Sequence, residues 1–172
     1  MSDSPQTVSQ LLDKGDDAAT ALSSPGGVPL PYKALRALVA DTVKTLVSRG
    51  IGAADRVAIV LDNGPEMAAA FLSVASGATA APLNPAYRAE EFEFYLTDLH
   101  AKLLIVAKDK DSPCVKVAER LNIPIARLVA HPEKGAGTFT LEFSTDVSPR
   151  TENGSAPQAR PRTVDRPARV VV

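Results

Sequence analysis

Hydrophobic positions along this chain recur with two alternating periods, and the alternation predicts an architecture. Leu35, Leu38, Val39, Thr42, Val43 and Leu46 fall at i, i+3, i+4, i+7, i+8 and i+11, one apolar face of a helix that Gly50 stops. The run "RVAIVL" (56–61) is short, continuous and rich in β-branched residues, the signature of a strand buried on both faces. Asn63-Gly64-Pro65 then turns the chain into a second helix with Met67, Ala70, Phe71, Val74 and Ala75 inward. Pro65 suits its first position, where a missing N–H costs nothing, and Gly77 is placed to end it. "TAAPL" (79–83) predicts a strand, followed by a third helix with Phe92, Tyr95, Leu96 and Leu99 inward. "LLIVA" (103–107) predicts another strand, and Ser112-Pro113 opens a fourth helix that runs to near Leu121. "IPIARLV" (123–129) and the alternating "TFTLEF" (138–143) complete the strands. Short connections between alternating strands and helices predict an α/β fold, a mostly parallel sheet flanked by helices and built from right-handed βαβ units.

The flanking segments have different textures. "TVSQLLDKG" predicts a short helix, and the Ser-Ser-Pro-Gly-Gly turn in "AATALSSPGGVPLPY" predicts a small hairpin. Beyond Pro149 periodicity is lost: residues 151–172 set Arg160, Arg162, Arg166 and Arg169 against Glu152 and Asp165, a local balance of +4 − 2 = +2, with Pro157, Pro161 and Pro167 interspersed. The expected division is a partial α/β subdomain over 1–150 and a disordered Arg/Pro-rich tail over 151–172.

Composition narrows the function classes. The 172 residues suffice for one domain, and 45% apolar with 23% charged residues is ordinary for a globular protein. A net charge of −1 gives no reason to expect nucleic acid. Cys114 is alone, which excludes an intrachain disulfide and a cysteine metal cage, so a reducing, cytoplasmic setting is expected. The start "MSDSPQTVSQ" lacks a secretory layout, so the Asn153-Gly-Ser155 sequon is read as chance. The apolar run 68–82 falls short of the roughly 20 residues of a membrane span, and "RVVV" is no peroxisomal address.

The densest candidate chemistry is Glu90, Glu91 and Glu93. A catalytic carboxylate pair needs one member in an apolar pocket that raises its pKa. These three lie at a helix start, off the apolar stripe, where carboxylates gain from unpaired N–H groups. They are read as helix decoration. Asp62-Asn63-Gly64 follows a strand and opens a helix, a place where anions bind, yet no glycine-rich phosphate motif is spelled out, so a tight βα turn is expected. Gly135-Ala-Gly137 is expected to be a loop; His100 and His131 have no metal spacing, Ser76-Gly77 is no nucleophile elbow, and Tyr32 and Tyr87 are expected to pack. No residue is assigned a catalytic, cofactor-binding or metal-ligating role.

The order of segments carries a resemblance. Tyr32 and Leu35 on the first long helix, then Gly50, Ile51, Asp55 and Val57, then Pro82-Leu83-Asn84-Pro85 and Glu90-Glu91 resemble the amino-terminal part of the adenylate-forming acyl-CoA synthetases. "ATAAPLNPAY" followed by "EFEFYLTDLHAKLL" is similar to the oxalate–CoA ligase branch; the likeness covers about residues 5 to 145. It implies a two-step reaction in which a carboxylate attacks the α-phosphorus of ATP and CoA then displaces AMP, with Mg²⁺ on the phosphates. The family's "TSGTTGxPKG" loop is expected shortly after the segment that ends near residue 155, where "ARPRTVDRPARVVV" stands instead. The resemblance therefore implies a truncated or mis-spliced synthetase fragment that lacks catalysis and binds no cofactor itself, whereas ATP, Mg²⁺ and CoA belong to the full-length family. A peroxisomal setting is open to that family. The alternative is a non-catalytic module that pairs with a full-length synthetase, or with a nucleotide, through an uncovered apolar sheet edge. Many family members have Thr where Arg88 stands; Arg88 cannot accept the capping hydrogen bond, so the cap is expected to fall to Asn84 or water.

Overall fold

A computed structural model describes residues 7–143, so the expectations for the 151–172 tail and for the Asn153 sequon lie outside the described residues. A short helix α1 (Val8–Leu12) and a two-stranded antiparallel hairpin, β1 (Thr20–Leu22) and β2 (Leu30–Pro31), lead into α2 (Tyr32–Ser48). Thr7 caps α1 by accepting from Gln10 N–H, with the Gln10 side chain reaching back to Thr7 N–H. The main body then runs β3 (Arg56–Val60), α3 (Pro65–Ala75), β4 (Thr79–Pro82), α4 (Ala89–Asp98), β5 (Leu103–Ala107), α5 (Pro113–Arg120), β6 (Ile125–Ala130) and β7 (Phe139–Phe143). The strands form one sheet in the order β4-β3-β5-β6-β7, parallel except for the antiparallel β6–β7 pair.

That order and the handedness of crossovers decide where the helices go. From β3 to β4 the chain steps one way; from β4 to β5 it passes back over β3, and from β5 to β6 it continues in that direction. Right-handed connections made in opposite directions put α3 on one face of the sheet and α4 and α5 on the other. Burial records the result residue by residue. Val57, Ile59, Leu103 and Ile105 share a core with Leu35, Val39 and Leu46 of α2 and with Ala69, Ala70 and Val74 of α3. Their neighbours in sequence, Ala58, Val60, Leu104 and Val106, share the opposite core with Phe92 and Leu96 of α4 and with Cys114, Val117 and Ala118 of α5. Each fully buried large side chain contributes roughly 1.5–3 kcal/mol, an upper estimate because denatured chains are partly compact. Among the described residues no helix is long and apolar enough to cross a membrane.

Most predicted elements stand within one or two residues of their expected bounds; the differences have local causes. The strand expected from Ile123 starts at Ile125, because Asn122 takes a positive φ of 55° after α5 and Ile123 N–H donates to Ala118 O. On α3 the deepest positions include Ala69 and Ser73, while Met67 and Phe71 are only half-buried. Small side chains face inward where α3 approaches α2. Gly77 lies just beyond the helix end at Ser76; an added Cβ there would come within 2.9 Å of Val43, so the residue serves the closeness of that approach. A 3-10 turn over Pro132–Lys134, which no sequence signal announced, precedes the predicted Gly135–Gly137 loop.

That loop ties the hairpin to the body. Ala136 N–H donates to Val28 O at 2.7 Å, and Tyr32 N–H to Ala19 O at 3.0 Å. Gly137 has φ +79°, and a Cβ on it would lie 2.5 Å from Pro65 O at the start of α3. Gly137→Ala is therefore expected to destabilise the chain by about 2 kcal/mol or more, from left-handed strain plus the clash with backbone. Gly52→Ala, whose nearest foreign atom is Asp55 Oδ2 at 3.9 Å, is expected to be neutral or stabilising by up to about 1 kcal/mol. Urea unfolding of the two variants beside the parent checks both.

Candidate functional site

Open α/β sheets bind ligands outside the carboxyl ends of their strands, where strand order reverses. Here the reversal lies between β3 and β5, since β4 flanks β3 on one side and β6 lies beyond β5 on the other. The two connections that rim it are Asp62-Asn63-Gly64 before α3 and Lys108–Ser112 before α5. Across the reversal Lys110 Nζ donates to both oxygens of Asp62, to Oδ2 at 2.6 Å. Lys108 Nζ meets Glu142 at 3.0 Å, and Arg127 Nη1 donates to Lys110 O at 3.5 Å. The two lysines of this rim are thus each matched by a carboxylate, Lys110 by Asp62 and Lys108 by Glu142 of β7. Such exposed pairs stabilise by no more than about 1 kcal/mol each, yet they decide what the crevice attracts.

The residues here do not fit a triphosphate. Asp62 sits at the entry to α3, Glu66 adds a second carboxylate in its first turn, and Pro65 removes one N–H that could face an anion. Among the described residues no three His, Cys, Asp or Glu side chains cluster to hold a metal ion.

Two of the three glutamates have separate tasks, and none of the three sits in an apolar pocket. Glu91 accepts from Arg88 N–H at 2.9 Å, the reach-back half of a capping box whose other half is missing, because a guanidinium has no acceptor. Of the two expected caps, Asn84 or water, Asn84 does not serve: its Oδ1 accepts from Ala86 N–H at 2.9 Å, closing the turn before the helix. Glu93 pairs with Arg120 at 2.7 Å and so ties α4 to α5. Glu90 is exposed. Tyr87 stacks on Tyr95 at 5.1 Å and meets Phe92 edge-on at 5.8 Å, the expected packing role. Its hydrogen bond with Tyr95, ahead of desolvation, pushes the Tyr87 hydroxyl above the ordinary phenol range.

The remaining candidates are scattered. His100, with φ 49°, lies just past α4 with Nδ1 3.0 Å from Asp98 O. His131 lies beyond β6, with Nε2 3.0 Å from Thr140 Oγ1 and Nδ1 3.5 Å from Glu133. Tyr32 packs beneath Gly15, with the Arg36 guanidinium 6.0 Å from its ring centroid. Sequence reasoning missed Arg36, which donates to Leu12 O at 2.7 Å and Gly15 O at 3.0 Å and pairs with Asp17. Those bonds hold α1 against α2 and leave an open groove of about 450 Å³ floored by Leu12, Val39 and Val43. No periodicity marks a residue whose partners are carbonyls 21 and 24 positions away.

Comparison with known proteins finds relatives in sequence and in fold. Residues 12–169 match the AMP-binding enzyme family. The chain is 44% identical over 105 residues to oxalate–CoA ligase of Arabidopsis thaliana, covering 60% of this chain and 20% of that one. It is 49% identical over 55 residues to oxalate–CoA ligase of Saccharomyces cerevisiae, covering 31% of this chain and 10% of that one. The fold superposes on the crystal structure of ATP-bound MatB from Rhodopseudomonas palustris with a TM-score of 0.64 and 25% identity, covering 78% of this chain and 27% of that one. The chain spans about a fifth of the length of the Arabidopsis relative.

Cys114 offers a probe of this face. It is fully buried in the first turn of α5, and burial pushes its thiol above the ordinary range, against a smaller opposing pull from the Ser112 hydrogen bond. Because the folded pKa is raised, the native state holds its proton longer than the unfolded chain does. Stability from this group is complete below the ordinary thiol pKa of about 8.5 and falls as pH rises through and beyond it. Cys114→Ala is expected to lessen the alkaline loss of stability seen in denaturant unfolding. Native Cys114 is expected to react with a thiol reagent only at the rate of opening.

Proposed function

The chain belongs to the AMP-binding enzyme family, and from that membership we propose that it is the amino-terminal α/β scaffold of an ATP-dependent carboxylate–CoA ligase with oxalate as its acid. One observation carries the reading: the 44% identity to an oxalate–CoA ligase over 105 residues. The resemblance runs through Pro82-Leu83-Asn84-Pro85 and the Glu90-Glu91 helix start. Those residues have architectural jobs. Asn84 closes the turn after β4, Pro82 ends that strand, and Glu91 caps α4, so the segment sets the path from the sheet to its second helical layer.

In the proposed reaction a carboxylate oxygen forms a bond to the α-phosphorus of ATP as pyrophosphate leaves. The CoA thiolate then attacks the acyl carbon and AMP departs. ATP, Mg²⁺ and CoA are the reagents of the whole ligase. None of the 172 residues spells the Ser/Thr/Gly-rich loop that would hold a triphosphate, and the rim between β3 and β5 is charge-matched internally. We accordingly assign this chain no adenylation chemistry of its own. Its natural partner is the remainder of a synthetase, to which it would supply a folded wall.

Two measurements test the reading. The longest natural polypeptide that contains residues 7–143 is expected to release AMP with oxalate and CoA in preference to acetate or malonate; a preference for another acid overturns the oxalate assignment. The 172-residue chain alone is expected to give no oxalate-dependent pyrophosphate exchange with ATP. Exchange above background overturns the scaffold assignment.

A further inference from the structure

The two edges of the five-stranded sheet differ. β4 is closed: Thr79, Ala80 and Ala81 are buried although the strand lies at the edge, and Pro82 ends it with no N–H to offer. β7 is open. It runs five residues in unbroken register with β6, contains no proline or lysine, and leaves Thr140 and Glu142 exposed. His131 N–H donates to Thr138 O at 2.7 Å, which sets the phase of the ladder. Residues 138, 140 and 142 turn their backbone groups toward β6, so the N–H and C=O groups of Phe139, Leu141 and Phe143 point along the open edge. Among the described residues none bonds to them there.

We propose that β7 is a self-pairing edge: two copies of this chain join by antiparallel β7–β7 hydrogen bonding about a two-fold axis through Leu141. The strand complements itself in that register. Leu141 faces the partner's Leu141, and Phe139 faces the partner's Phe143, each as a hydrogen-bonded pair that uses every outward N–H and C=O of the edge. Between them Thr140 faces the partner's Glu142 as a closer, non-hydrogen-bonded pair. No two like charges meet, and a cross-strand aromatic pair forms twice on the face where Phe143 already lies under Arg49, 4.3 Å from its ring centroid. The contact is isologous, so it closes at two copies. A single strand pair buries little area, which places the dimer at the weak end of specific association.

Sedimentation equilibrium of the 172-residue chain over a range of concentrations tests this, with two variants at the exposed Thr140. Thr140→Glu sets carboxylate against the partner's Glu142 and is expected to weaken the dimer; Thr140→Lys sets opposite charges there and is expected to strengthen it. Each shift in Kd should be about 2- to 30-fold, since the pair occurs twice in the dimer. Both variants lose the Thr140 hydroxyl's contact to His131. Amide exchange gives an independent reading: protection of Leu141 and Phe143 should rise with concentration, while Thr140 and Glu142, bonded to β6, should stay protected throughout. A chain that remains monomeric, assembles beyond two copies, or responds to both substitutions in the same direction overturns the proposal.

Discussion

Two-sided burial of β3 and β5 is the constraint on which the rest of the structure depends. Each strand places successive apolar side chains on opposite faces, so each needs a helical layer on both sides. The chain can supply two layers with short connections only by stepping one way across the sheet and then the other, because its crossovers share one hand. The order β4-β3-β5-β6 follows, and with it the separation of α3 from α4 and α5. Substituting any of Ile59, Leu104 or Ile105 disturbs a layer rather than a local contact, since all three are essentially inaccessible.

The same reversal creates the one place where an open sheet of this kind is prepared to receive a ligand. This chain spends that place on its own side chains: Asp62 with Lys110, Lys108 with Glu142, and Arg127 on the Lys110 carbonyl. The pairs are exposed and individually weak, so their effect is less on stability than on the field of the crevice, which holds no surplus of positive charge for a polyphosphate. The proposed scaffold role, with triphosphate binding left to other residues, accords with that field. The glutamates of α4 fit the same pattern: Glu91 completes a cap and Glu93 ties two helices together, so their proximity in sequence does not become a shared proton.

How legible each feature was depends on the distance over which its cause acts. Helices and strands were legible because their causes repeat locally: the stripe Leu35, Val39, Thr42 and Leu46 is buried as its spacing requires, and Phe92 and Leu96 likewise. Boundaries were less so where a single backbone angle intervened, as at Asn122 before β6. Between Asn84 and water as the α4 cap the sequence could not choose, because the Asn84 oxygen can serve either the turn at Ala86 or the helix start, and geometry gives it to the turn. Arg36 was invisible, since its partners are carbonyls that every residue possesses. The candidate site was legible only as positions with chemistry in them; that Asp62 and Lys110 neutralise each other across 48 residues was not.

Sequence alone determined the kinds of element, their order, the α/β class and the likeness to a ligase family, because apolar spacing and short motifs are one-dimensional records of local geometry. Tertiary structure alone decided which strand lies beside which, which charges meet at the reversal, and which sheet edge is closed by Pro82 and which, among the described residues, is left open at β7. These depend on the hand of crossovers and on contacts between residues far apart in the chain, and no window along a sequence contains both partners.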